Sequence, residues 1–162
     1  MTPPAAVAID LDGVLGDTRP LWHDWLESSG RVLGIDPVAL PTDRGEAAAA
    51  LDAGGAGNWR TLLERFAEDR APVYLRRDAA ASAALRALAN SGARIGVFSD
   101  APSELVRTAL AQLGATSRAS AVETGAGALD RLLATLGQGA VVVRSREEFG
   151  RVASYSATHG SA

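Results

Sequence analysis

Apolar positions along this chain fall into two kinds of pattern, and their alternation predicts the architecture. Ala5 to Asp10 is a short apolar run ending in an acid, which reads as a buried strand. Beyond Asp17 the spacing becomes helical. Leu21, Trp22, Trp25 and Leu26 predict a helix that fades near Gly30 or Gly34. Pro37 and Pro41 punctuate a loop, and Asp43 with Glu46 predicts a capping box opening a helix through Ala47–Leu51, stopped by Gly54-Gly55. Asn58 is placed to cap a third helix striped by Trp59, Leu62, Leu63 and Phe66.

From Asp78 onward helices and strands alternate. Asp78 predicts the cap of a helix carrying Leu85 and Leu88, followed by a strand from Arg94 to Phe98 that ends in Ser99-Asp100. A helix from Pro102 to Gly114, a weak strand over Ala119–Val122, a helix over Ala128–Leu136 and a β-branched strand over Ala140–Val143 follow. Ser145 and Glu148 have capping-box spacing for a last helix running to about His159, with Gly160-Ser161-Ala162 frayed. This order predicts an α/β fold: a three-layer, Rossmann-like parallel sheet with helices on both faces. The stretch 17–76 is far too long for a βα connection. It is read as a helical cap subdomain inserted into a core made of 1–16 and 77–162.

Composition narrows the chemistry. The 162 residues carry a formal net charge of −3 with no basic block, which argues against nucleic acid as a partner. With no cysteine and only His23 and His159, disulfides, thiolate chemistry and multi-histidine metal sites are excluded. No apolar run approaches a membrane span and the N-terminus lacks the pattern of a signal peptide, so a soluble cytoplasmic protein is expected. All sixteen basic residues are arginine.

The candidate centre is Asp10-Leu11-Asp12-Gly13-Val14. Residues i and i+2 of a strand share a face, so regular β geometry brings the two carboxylates together, where they raise each other's pKa or require a cation. In open α/β sheets ligands bind at the carboxyl ends of strands, where this pair stands.

These residues resemble the first motif of the haloacid dehalogenase (HAD) superfamily, in its phosphatase-like branch with a helical cap. Ile95-Gly96-Val97-Phe98-Ser99-Asp100 is similar to the second motif. The resemblance implies a hydrolase acting on a small phosphorylated metabolite, with Asp10 as nucleophile forming an aspartyl-phosphate and Asp12 as general acid and base. It implies phosphate contacts from Ser99 and Gly13. It also implies Mg²⁺ on Asp10 and Asp12, with Glu147 or Glu148 as a displaced further ligand. Asp12 favours phosphoryl transfer over dehalogenation, because a departing halide needs no proton.

Two departures qualify the resemblance. The family's third-motif lysine has no counterpart; its slot, counted back from Leu136-Gly137, falls near Val122-Glu123-Thr124. The fourth-motif Gly-Asp is replaced by Arg144-Ser145. Glu147 and Glu148 read equally as acids of a helix first turn. Arg144 is therefore the candidate charge replacement beside Asp10 and Asp12, with Arg118 and Arg146 weaker ones. The alternative function is a catalytically inactive HAD-fold protein with a binding or regulatory role. Trp22, Trp25, Trp59 and His23 are expected to be structural, Asp17 a first-turn acid, and Gly125 and Gly127 turn glycines.

Overall fold

The computed structural model describes residues 2–159. The expected fraying of 160–162 lies outside the described residues. Four parallel strands, β1 (Ala6–Asp10), β2 (Arg94–Ser99), β3 (Ala121–Thr124) and β4 (Val141–Val143), form one sheet in the order β3-β2-β1-β4. The two central strands pair with Asp10 opposite Phe98, so the acid ending β1 and the serine ending β2 emerge side by side.

Alternation along β1 and β2 sorts the two faces. Ala6, Ala8 and Phe98 pack with Ala128, Leu132 and Leu136 of the helix α6 (Ala128–Leu136). Val7, Ile9, Ile95 and Val97 belong to a larger apolar cluster on the other side. That cluster takes in α4 (Ala79–Asn90), α5 (Ser103–Leu113) and α7 (Arg146–His159), giving the three layers expected of alternating strands and helices.

Between β1 and α4 lie α1 (Arg19–Leu33), a 3₁₀ turn at Pro37–Ala39, α2 (Arg44–Ala53) and α3 (Trp59–Tyr74). Their buried side chains, including Leu21, Trp25, Ala47, Trp59 and Leu63, join the same cluster as Leu105 and Val106 of α5. Trp22, Trp25 and Trp59 pack in series as tilted rings, with centroids 5.3 and 5.9 Å apart. No described helix is long and apolar enough to cross a membrane.

Helix α2 opens at Arg44, directly after the expected cap Asp43, whose carboxylate accepts from the Glu46 amide. Two details differ from the sequence pattern. Strand β3 is shifted to Ala121–Thr124, since Ser120 already bonds the Ile95 carbonyl after a 3₁₀ turn at Thr116–Arg118. Asn58 makes no side-chain cap bond. The nearby acid Asp52 instead accepts from Trp59 Nε1 and Arg60, holding α2 to α3.

Candidate active site

Strand β1 delivers Asp10 to the carboxyl edge of the sheet, and the chain then makes one wide turn over Leu11–Leu15 before α1. The turn closes with Gly16 N–H donating to the Leu11 carbonyl at 3.2 Å. Gly13 carries φ +103° there, a region L side chains rarely adopt. A Cβ at Gly13 would also sit 3.1 Å from the Arg144 carbonyl oxygen. Gly13, expected to contact phosphate, donates its N–H to the Gly16 carbonyl at 2.8 Å.

The two motif acids have different surroundings. One Asp10 oxygen accepts from the Asp12 amide at 3.1 Å, and the other lies 3.5 Å from Arg144 Nη1. Burial, and then the neighbouring Asp12 charge, raise the Asp10 pKa above its ordinary 3.8. Asp12 lies in the turn that follows β1. Its Oδ1 accepts from both the amide and the hydroxyl of Thr18 at 2.7 Å. Its Oδ2 accepts from Ser99 Oγ at 3.1 Å and from the guanidinium of Arg44.

Arg44 is the residue the sequence pattern did not single out. It is the first residue of α2, its side chain is 4% exposed, and it spans the sheet edge. Nη1 donates to Thr18 Oγ1 at 2.7 Å, while Nε and Nη2 donate to Asp100 Oδ1 at 3.1 and 2.7 Å. The Arg44 amide donates to Asp100 Oδ2 at 2.9 Å, and these contacts hold the Asp100 carboxyl below its ordinary pKa. Gly45 follows, packed so closely on the loop after β3 that a Cβ would lie 2.1 Å from the Ala126 nitrogen.

Arg144 reaches Asp10 but not Asp12, so the cation on Asp12 is Arg44. Arg144 is 58% exposed along its side chain and lies over the Phe98 ring at 5.3 Å. Arg146 donates to the Val14 carbonyl from the far side of the turn. Glu123, in the slot counted for the lysine, pairs with Arg131 at 3.1 Å. Asp17 pairs with Arg19 at 2.7 Å.

A divalent metal fits these residues poorly. Ser145 fills the position of a further acid, and its Oγ accepts the Glu148 amide at 3.2 Å. Glu148 turns back to accept the Arg144 amide at 2.9 Å, closing a cap on α7. Glu147 faces solvent beside Arg151. Glu148, expected as a possible further ligand, thus caps α7, and Glu147, the other, pairs at the surface. Among the described residues no group of three or more acids or histidines could hold a metal ion.

A cavity of about 630 Å³ opens in front of Asp10, Asp12 and Arg44. Trp22, His23, Leu26 and Leu40 also line it, so Trp22 and His23, read mainly as structural from the sequence, border the site. No family model and no curated protein matches the chain. Among solved structures it is similar to CbbY from Rhodobacter sphaeroides in complex with phosphate, at TM-score 0.66 and 16% identity, over 94% of this chain and 83% of that one. It is also similar to a putative beta-phosphoglucomutase from Thermotoga maritima, at TM-score 0.54 and 17% identity, over 95% of this chain and 82% of that one. The fold is HAD-like. Asp10 stands at the end of the first strand of this HAD-like sheet, with Ser99 beside it at the end of the second.

Proposed function

We propose that the chain is a HAD-type hydrolase of small phosphate monoesters that uses Asp10 as nucleophile. One observation carries this reading: of the three acids at the strand ends that line the cavity, Asp10, Asp12 and Asp100, only Asp10 keeps an oxygen whose nearest partner is as far as 3.5 Å. In the reaction this oxygen bonds to phosphorus as the ester P–O bond breaks, and the leaving oxygen takes a proton from Asp12. Water then attacks the aspartyl-phosphate, its proton returns to Asp12, and inorganic phosphate departs. Arg44 and Arg144 are the cations available to the phosphoryl oxygens, as guanidinium groups suited to bidentate contact. The helical insert at 17–76 supplies one wall of the cavity and so the contacts to the leaving group. Acid-quenching the protein during turnover of an aryl phosphate and mapping the adduct by mass spectrometry tests this, with the phosphoryl group expected on the peptide containing Asp10.

A second reading is favoured by the engagement of Asp12. Both of its oxygens accept from donors, and Ser99 gives its own proton to Asp12. In that arrangement neither residue is free to serve a substrate, which suits a HAD-fold protein that binds a ligand without hydrolysing it. Absence of both adduct and turnover selects this reading.

A further inference from the structure

Helix α2 is fastened to the sheet through its first two residues. The Arg44 side chain and amide together hold Asp100 at the end of β2, Asp12 after β1 and Thr18 before α1. Gly45 seats the same turn on Gly125 and Ala126, and only a residue without Cβ permits this approach. The guanidinium also lines the cavity in which a substrate would sit. It is a buried group whose charged partners are carboxylates, and a phosphoryl group offers similar acceptor oxygens with more charge.

We propose that Arg44 is a positioning residue acting through Asp12: at rest its guanidinium holds Asp12, and a phosphoryl group entering the cavity takes its donors, releasing Asp12 from the guanidinium and unseating α2. The inference rests on the hydrolase reading only for the identity of the anion. The two events are linked through Asp100, which accepts from both the amide and the side chain of Arg44. Gly45 is in direct contact with the loop beyond β3, so the guanidinium leaves Asp12 when the first turn of α2 lifts. The contact between Thr18 and Asp12 remains, which keeps Asp12 near Asp10.

Hydrogen exchange on the full-length protein, with inorganic phosphate as probe and chloride at matched ionic strength as control, tests this without turnover. The amides of Arg44, Glu46 and Ala47 are expected to exchange about tenfold faster in saturating phosphate, through a local opening, while β1 and β2 stay protected. Arg44→Met is expected to exchange fast there with no phosphate response, and Arg44→Lys to recover part of the response. Unchanged or slowed exchange at α2 in phosphate overturns the proposal. If Arg44→Met does not fold, the wild-type titration alone decides. A phosphate response without hydrolysis leaves the latch standing and removes the hydrolase reading; hydrolysis without the response does the reverse.

Discussion

Arg44 Nη2 donates to both Asp12 and Asp100, so a single guanidinium joins the acid that follows β1 to the acid that follows β2. Both carboxylates and the cation come from elements distant in sequence, and the Arg44 side chain is almost fully buried. Its removal would leave Asp12 buried and without a countercharge. Breaking a buried pair on one side costs about 3–5 kcal/mol, against little for an exposed one. Arg44→Met is expected to lose stability in that range in urea unfolding, whereas Arg107→Met, at an exposed pair with Glu64, is expected to lose less than about 1 kcal/mol.

Two glycine substitutions should have opposite signs. Replacing a helix-interior glycine by alanine normally stabilises by about 1 kcal/mol. Gly150 in α7 has nothing within 4 Å of its would-be Cβ, so Gly150→Ala is expected to raise the melting temperature. Gly45→Ala places a Cβ 2.1 Å from the Ala126 nitrogen, so α2 must lift and the melting temperature is expected to fall.

The folded-state pKa of Asp10 is raised, chiefly by burial. Its contribution to stability is therefore fully present below its unfolded value and is lost as pH rises through the folded one. Asp10→Asn removes that loss. The variant is expected to melt higher than the wild type at pH 7, with the difference vanishing near pH 3. Asp100 has the opposite sign: its pKa is lowered through Arg44, so its contribution is present at neutral pH and is lost in acid. Asp100→Asn is expected to destabilise at pH 7 and to flatten the acid limb of the stability profile.

Ser145 separates helix capping from metal ligation. Ser145→Ala is expected to cost about 1 kcal/mol through loss of the bond to the Glu148 amide, read by thermal melting. Phosphatase turnover of the same variant is expected to equal that of the wild type.

The layout of the sheet was legible because the apolar runs of β1, β2 and β4 are short, dense and bounded by polar or glycine residues. The position of the acids followed from that layout, since Asp10 ends β1. Arg44 was not legible. Nothing local distinguishes it from the other arginines, and its role arises only when α2 docks on a strand end 56 residues away in sequence. Arg144 had a local signal, its place after β4, and the structure brings it to Asp10 but leaves Asp12 to Arg44. Strand β3 was misplaced by two residues because Ala119-Ser120-Ala121-Val122 carries almost no β-branched pattern to fix its register. Trp22 and His23 share their helix with packed residues such as Trp25, and periodicity cannot say which of them faces a cavity formed with the distant segment 37–44.

The central claim is that phosphoester chemistry at Asp10 proceeds with arginine as the resident cation. Steady-state hydrolysis of an aryl phosphate, measured for the wild type and Asp10→Asn in EDTA and in Mg²⁺, tests it most directly. The predicted result is turnover that is abolished by Asp10→Asn and equal in EDTA and Mg²⁺. Turnover that appears only with Mg²⁺, or that survives Asp10→Asn, would contradict it.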